Sequence, residues 1–251
     1  MSFVCSRGAL TVEIAFEVSR YNPEEKEGNF YQKFSISARP GNLDDLTVLD
    51  SLIRLKEEKD GSLTFRHSCG HGSCGSCAML INGENRLACK THLVDLLSQD
   101  ESRVKVSPLP GFPVIKDLVV DLGSLFEHDR EIKPYLVGSD KTSPEEENLQ
   151  TPEELAPIQE ATKCIMCGAC TSSCPTYWDN KKYLGPAAFV RAFRWESDSR
   201  DESEGERMEV LNDKRGGVWG CNKVFNCNDA CPKDIDTVGV IEKLKRKALG
   251  F

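Results

Sequence analysis

The sequence lacks the features by which a chain enters a membrane or binds nucleic acid on its own. No stretch approaches the ~18 continuous apolar residues of a membrane-spanning helix. The first ten residues, MSFVCSRGAL, show neither the apolar run nor the small-residue cleavage site of a secretory signal. The formal net charge is −8, whereas a nucleic-acid partner requires a basic footprint. No acid–base pair or nucleophile is singled out as catalytic, and we expect a soluble globular protein.

The spacing of apolar residues and the positions of proline-rich segments divide the 251 residues into three parts. Residues 1–110 are expected to form a small α+β domain of the β-grasp kind. Residues 111–160 are expected to be a linking segment, since they are acidic and carry several prolines. Residues 161–251 show helical spacing interrupted by cysteines, which predicts an all-α domain.

Local signals place the elements of the first domain. Thr47-x-x-Asp50 predicts the start of a helix, and Asn82-Gly83 predicts a type I′ hairpin turn. Apolar residues that alternate with polar or small ones predict another hairpin with a long loop, with strands at Val12, Ile14, Phe16 and Val18 and at Phe34, Ile36 and Ala38. Two hairpins and one helix are the parts of a β-grasp fold.

Cysteine is the most informative residue type, because eleven of the twelve fall into three groups. In a cytosol-facing protein of this size, such density indicates metal ligands rather than disulfides. The first group, Cys69-x4-Cys74-x2-Cys77-x11-Cys89, has the plant-type [2Fe–2S] spacing. Its glycines allow the backbone to curl around inorganic sulfur. Only Cys5 lies outside the groups, and we expect a free thiol there.

The second and third groups predict two further clusters that exchange ligands. The second is Cys164-x2-Cys167-x2-Cys170-x3-Cys174-Pro175, and the third is Cys221-x5-Cys227-x3-Cys231-Pro232. In the bacterial ferredoxin run, the fourth cysteine ligates the other cluster of the pair. We therefore assign the first set of ligands to Cys164, Cys167, Cys170 and Cys231. The second set is Cys174, Cys221 and Cys227.

A missing cysteine decides the type of the third cluster. A complete run from Cys221 would place cysteine at position 224, which is valine. A cubane with one corner lacking a thiolate tends to lose that iron. We therefore expect a [4Fe–4S] cluster in the four-thiol set and a [3Fe–4S] cluster in the three-thiol set. Three clusters in one chain indicate a conductor of single electrons.

Two other interpretations concern the first loop. A zinc site is the main alternative to a cluster, but zinc sites favour two CxxC pairs, which this group does not have. His67 and His71 flank the loop. Because four cysteines already complete the ligand set, we expect both histidines to be loop residues that hydrogen-bond around the cluster.

The chain resembles the iron–sulfur subunit of succinate dehydrogenase and fumarate reductase over nearly its whole length. The segments that carry the resemblance are CGHGSCGSCAMLING, PLPGFPVIKDLVVD, CIMCGACTSSCP, GPAAFVRA, DSRDE, GVWGC and CNDACPK. The resemblance implies a subunit of respiratory complex II. A partner flavoprotein with FAD then oxidises succinate, and this chain passes electrons through [2Fe–2S], [4Fe–4S] and [3Fe–4S] clusters to membrane quinone. It further implies one or two membrane-anchor subunits and peripheral attachment at the cytoplasmic face of the membrane.

The same resemblance implies part of a quinone pocket beside the [3Fe–4S] cluster, at Pro175, Trp178 and Val224. An equally weighted interpretation is that Trp178 only packs beneath the cluster. The chain departs from many members of the family at Asn222, where histidine is common. It departs from others at Asp179, where some have tryptophan.

Three alternatives stay open at this point. The same subunit could work in reverse in a quinol:fumarate reductase, because direction follows from potentials that sequence does not fix. A stand-alone ferredoxin-like carrier and a zinc-binding structural protein are alternatives of other classes. The basic run of the last helix, Lys243, Lys245, Arg246 and Lys247, is either a solvated helix end or a contact with an anchor subunit or lipid headgroups.

Overall fold

The structure is a computed structural model that describes residues 3–6, 9–24, 28–39, 41, 43–97, 103–138 and 147–250. It divides into two compact units, Met1–Asp121 and Leu122–Phe251. The segment predicted as a linker, 111–160, is therefore shared between the two units. Cys5 lies in the first strand, but its side chain is outside the described part.

A six-stranded mixed sheet forms the first unit. Its strands are β1 (Phe3–Ser6), β2 (Ala9–Arg20), β3 (Phe30–Ala38), β4 (Ala78–Ile81), β5 (Glu84–Leu87) and β6 (Arg103–Ser107). The long strand β2 pairs antiparallel with β1 and β3 and parallel with β6. In turn, β4 lies antiparallel to β5 and β6. Both predicted hairpins are confirmed, and Asn82 and Gly83 have the positive φ of a type I′ turn.

A single longer helix, α1 (Val48–Glu58), supplies the other half of this core. The predicted start is confirmed. Thr47 Oγ1 accepts a hydrogen bond from the amide of Asp50 at 3.2 Å, and the Asp50 carboxylate accepts one from the amide of Thr47 at 3.0 Å. Alternate side chains of β2 and one face of α1 are almost fully buried, which is why the period-two and helical patterns both hold. The short helix α2 (Leu93–Leu96) and a small hairpin of β7 (Val114–Lys116) and β8 (Val119–Val120) complete the unit.

Every regular element in the described part of the second unit is a helix. The helices are α3 (Gly123–Glu131), α4 (Pro152–Leu155), α5 (Ala169–Ser172), α6 (Pro175–Asp179), α7 (Pro186–Glu196), α8 (Glu204–Leu211), α9 (Asn226–Asp229) and α10 (Thr237–Ala248). The predicted helix in GPAAFVRAFRW is α7, and it packs against α10. Ala188, Phe189 and Ala192 are fully buried. No described helix of the chain is long and apolar enough to cross a bilayer.

The basic end of α10 makes contacts within its own unit. The ammonium of Lys243 lies 5.3 Å from the ring centroid of Phe193. Lys245 donates to the carbonyl of Cys221 at 3.3 Å and pairs with Glu242 at 3.1 Å. Lys247 pairs with the buried carboxylate of Glu196 at 3.2 Å. Three of the four basic side chains therefore help to hold α10 in place.

Candidate metal centres

The first cysteine group lies on a tightly curled loop. Gly70, Gly72 and Gly75 all have positive φ, between 72° and 80°, a region that side chains other than glycine rarely adopt. This curl directs the amides of Ser73 and Cys74 at the sulfur of Cys69, at 3.3 and 3.4 Å. Amide donors aimed at cysteine sulfur are typical of iron–sulfur loops, because they stabilise thiolate charge.

The β4–β5 hairpin returns the chain so that the fourth cysteine meets the loop. The amide of Cys89 donates to the sulfur of Cys77 at 3.5 Å, and the amide of Ala88 donates to the Cys77 carbonyl at 3.0 Å. Burial raises the pKa of Cys77 to about 12, and the neighbouring thiols of Cys89 and Cys74 contribute to the rise. By contrast, amide donors lower the pKa of Cys69 to about 6. The four thiols therefore converge, and this donor set fits a [2Fe–2S] cluster.

The two histidines hold positions beside this loop. The Nδ1 atom of His71 lies 2.6 Å from the carbonyl oxygen of Cys69. The ring of His67 packs near that of Phe65, with centroids 5.5 Å apart. Both therefore contact the loop or the segment before it.

A buried polar network fixes the segment that leads into the loop, and sequence patterns did not indicate it. The carboxylate of Asp117 accepts from Arg20 Nε at 3.0 Å and from the amide of Thr64 at 2.9 Å. Arg66 donates to the carbonyl of Val120 at 2.8 Å. Since Asp117 is 97 residues from Arg20, no local pattern could have revealed their contact.

The second unit contains two cavities lined by cysteine. Cys164, Cys167, Cys170 and Cys231 line one cavity. Cys174, Cys221 and Cys227 line another. The two cavities differ in the number of thiols that line them. Cys231 therefore lies with Cys164, Cys167 and Cys170, and the exchange of cluster ligands between the two runs stays a prediction.

The thiols of the four-cysteine cavity affect one another electrostatically. Burial raises the pKa of Cys167 to about 11, and the nearby thiols of Cys164 and Cys231 add to the rise. Burial also raises the pKa of Cys170 well above its usual value. The amide of Ile235 donates to the Cys231 sulfur at 3.5 Å. These thiols surround a cavity, as a polynuclear cluster requires, since each thiolate binds a different iron. Among the described residues, no group of three or more His, Cys, Asp or Glu side chains is placed to hold a single metal ion.

Two cysteine loops share one backbone conformation. Met166 and Gly168 have φ of 52° and 80°, and Lys223 and Phe225, the equivalent residues after Cys221, have φ of 55° and 68°. The first loop leads into α5 and the second into α9, which are both single turns of four residues. The second unit therefore contains an internal structural repeat.

The three-cysteine cavity also contains two of the three predicted pocket residues. Pro175 and Val224 line it, together with Asn222. The side-chain amide of Asn222 donates to Thr176 Oγ1 at 3.4 Å. Trp178 is not among the residues that line this cavity. Its side chain is 48% exposed, and its indole N–H donates to the Ser172 carbonyl at 2.7 Å.

A residue that sequence reasoning missed also lines this cavity. Tyr183 is only 1% exposed and lines this cavity together with all three thiols. Burial first, and then the charges of Cys221, Cys174 and Cys227, raise its pKa above the ordinary value. An aromatic residue nine positions after Cys174 carries no motif that could have predicted this contact.

Comparison with known proteins identifies two kinds of iron–sulfur domain in this chain. Residues 15–127 match a family described as a 2Fe-2S iron-sulfur cluster binding domain, and residues 160–235 match a 4Fe-4S dicluster domain. The succinate dehydrogenase iron-sulfur subunit of Coxiella burnetii is 39% identical over 239 residues, which cover 94% of this chain and 97% of that protein. The chain belongs to the family of iron–sulfur subunits of succinate dehydrogenase and fumarate reductase.

Other members of this family differ in their named activity. The fumarate reductase iron-sulfur subunit of Mycobacterium tuberculosis is 40% identical over 236 residues, which cover 94% of this chain and 92% of that protein. A chain of the Mycobacterium smegmatis Sdh1 complex in the apo form has a TM-score of 0.84 at 29% identity, covering 96% of this chain and 97% of that chain. A hypothetical protein from Helicobacter pylori is similar in fold alone, with a TM-score of 0.56 at 16% identity over 93% of this chain and 39% of that chain.

Proposed function

We propose that this chain is the electron-transfer iron–sulfur subunit of a membrane-bound succinate:quinone oxidoreductase. One observation carries the proposal: eleven thiols stand in groups of four, four and three. Iron–sulfur clusters supply one-electron steps over a wide range of potentials. The relatives named as subunits of succinate dehydrogenase and fumarate reductase support the same role.

In this proposal, the first unit is a β-grasp ferredoxin domain in which Cys69, Cys74, Cys77 and Cys89 hold a [2Fe–2S] cluster. The second unit is an all-α ferredoxin-like domain. Cys164, Cys167, Cys170 and Cys231 hold a [4Fe–4S] cluster there, and Cys174, Cys221 and Cys227 hold a [3Fe–4S] cluster. The backbone supplies amide donors to the sulfurs, and burial excludes water, both of which set potentials.

The described residues offer thiols for electron transfer, and we assign no catalytic group for the dicarboxylate among them. We therefore assign succinate oxidation to a partner flavoprotein with FAD, and attachment to the cytoplasmic face of the membrane to one or two anchor subunits. Pro175, Val224 and Trp178 are proposed as the contribution of this chain to the quinone pocket. Two of them line the three-thiol cavity, and the exposed ring of Trp178 leaves it free to contact a partner.

The runner-up is the same subunit in a quinol:fumarate reductase, and the Mycobacterium tuberculosis relative supports it equally. Purification of the complex from membranes of the native host separates the alternatives. We expect a flavoprotein to copurify, iron and sulfide in the amounts of three clusters, and no stoichiometric zinc. Comparing succinate:quinone with quinol:fumarate rates then decides the direction. A soluble, iron-free monomer with bound zinc would refute the proposal.

A further inference from the structure

Tyr183 is held rigidly against the three-cysteine cavity. Its ring packs edge-on against Phe189, with centroids 5.4 Å apart and an interplanar angle of 63°. On another side it meets the backbone before Cys221, where a methyl group on Gly220 would come within 2.8 Å of the ring atom Cδ2. Because the side chain is 1% exposed, it has little freedom to turn away.

The hydroxyl of this tyrosine needs a partner inside the protein. A buried phenol hydroxyl almost always forms a hydrogen bond. Without one, the hydroxyl would lose its hydrogen bonds to water on burial and gain nothing in return. Tyr183 lines the cavity with Cys174, Cys221 and Cys227, and the Cδ2–Cε2 edge of its ring, next to the hydroxyl, lies against Gly220, the residue before Cys221. A phenol is protonated at neutral pH, so toward a thiolate it acts as the donor.

We propose that Tyr183 donates a hydrogen bond to the sulfur of Cys221 and thereby raises the reduction potential of the cluster held by Cys174, Cys221 and Cys227. The inference rests on the proposed [3Fe–4S] cluster. Reduction adds one negative charge to the cluster and its thiolates. A hydrogen bond to sulfur stabilises the more negative, reduced form more strongly, and hydrogen bonds to sulfur are an established determinant of cluster potential.

The four-thiol cavity provides an internal contrast. No tyrosine is among the described residues that line it, and the hydroxyl of its one threonine, Thr237, lies 3.3 Å from the carbonyl of Ile235. The phenol donor therefore acts on one cluster of the pair. Its effect widens the potential difference between the two clusters and favours electron transfer toward the three-thiol site.

The test is a potentiometric titration of the whole complex, followed by low-temperature EPR of the oxidised three-iron signal. Tyr183→Phe keeps the ring and removes the hydroxyl. We expect the ratio of reduced to oxidised cluster at a fixed potential to fall about tenfold, which corresponds to a hydrogen bond that is ~1.4 kcal/mol stronger to the reduced cluster than to the oxidised one. For one electron this corresponds to a midpoint about 59 mV lower. The potentials of the other two clusters should not change.

Tyr177→Phe is the matched control. Tyr177 is equally buried, but its hydroxyl lies 2.7 Å from Ser124 Oγ and it does not line the cavity. The control should leave the three-iron midpoint unchanged. Replacing Tyr183 with 3-fluorotyrosine, a more acidic phenol and stronger donor, should shift the midpoint in the opposite direction, upward.

The outcomes separate the inference from the proposed function. An unchanged midpoint in Tyr183→Phe would overturn the role of the hydroxyl. If Tyr183→Phe does not assemble the cluster, the fluorotyrosine variant decides, and a midpoint that fails to rise overturns the inference. A wild-type complex without any three-iron signal would instead refute the assignment of the cluster itself.

Discussion

Cys167 and Val224 occupy the same position in two loops of matching backbone conformation. Each is flanked by two residues with positive φ and precedes a one-turn helix. Their side chains differ in environment, because Cys167 is 8% exposed and Val224 is 51% exposed. The repeat therefore presents a thiol to one cavity and a half-exposed apolar side chain to the other.

The first prediction follows from this equivalence. Val224→Cys should supply the missing thiolate, because the loop already has the conformation that directs Cys167 at its cavity. We expect conversion of the [3Fe–4S] cluster into [4Fe–4S], with loss of the oxidised three-iron EPR signal and a lower potential. Val224→Ser, similar in size to cysteine but without sulfur, is the control and should retain the three-iron signal. Retention of that signal in Val224→Cys would contradict the equivalence.

The second prediction tests the exchange of ligands. Cys231 lines the cavity of Cys164, Cys167 and Cys170, although Cys227 is its neighbour in sequence. Cys231→Ser should therefore damage the four-iron cluster and leave the three-iron signal in place. Cys227→Ser is the matched variant and should do the reverse. EPR of both variants in the oxidised and reduced states shows which cluster each substitution damages. Selective loss of the three-iron signal in Cys231→Ser would show that Cys231 is wrongly assigned to the four-iron cluster.

Local signals predicted much of the fold, whereas long-range polar contacts remained hidden. The Thr47 cap and the Asn82–Gly83 turn depend on neighbours within three residues, so sequence spacing reveals them. The contact of Arg20 with Asp117, and of Tyr183 with its cavity, joins residues far apart in the chain. Such pairs carry no period or motif, and only the folded backbone brings them together. The spacing of the cysteines predicts ligand exchange by a known rule, and the ligand sets stay a prediction.

A buried charge network in the second unit gives the third prediction. Arg207 is fully buried and lies 2.9 Å from Asp201 and 3.4 Å from Glu196. It also donates to the carbonyl oxygens of Ile132 and Lys133. Burial alone would raise the pKa of Asp201, but hydrogen bonds, with Arg207 the largest contributor, outweigh it and lower that pKa. The carboxylate is therefore charged and depends on its partner.

Arg207→Met should accordingly destabilise the protein by about 3–5 kcal/mol, because it leaves the Asp201 carboxylate buried without its cation. Thermal unfolding of the purified holo-protein, followed by circular dichroism and cluster absorbance, measures the loss. Arg54→Met is the control, since Arg54 pairs with Glu58 at 3.3 Å on an exposed helix face, where such pairs contribute about 0–1 kcal/mol. Equal effects of the two substitutions would contradict the role assigned to the buried network.

The last prediction concerns the exit of electrons to quinone. Trp178 lies on α6, four residues after the proposed ligand Cys174. Its ring is half exposed, although its indole N–H donates a hydrogen bond to the carbonyl of Ser172. A ring that only packed beneath the cluster would be buried, so its exposure favours contact with quinone or with an anchor subunit. Trp178→Leu should therefore slow succinate:quinone activity about tenfold, as expected for the loss of one aromatic contact of ~1.4 kcal/mol.

The same variant should retain succinate oxidation by an artificial dye that accepts electrons upstream, because the flavoprotein and the first two clusters are unaffected. Trp178→Phe distinguishes the role of the aromatic ring from that of the indole hydrogen bond to Ser172. The variant keeps an aromatic ring and loses that hydrogen bond, so it should preserve most quinone activity if the ring makes the contact that matters. Parallel assays with quinone and dye, with cluster content checked by EPR, measure this. If Trp178→Leu lost both activities equally with all clusters intact, a role confined to the quinone pocket would be wrong, because only the exit step depends on that ring.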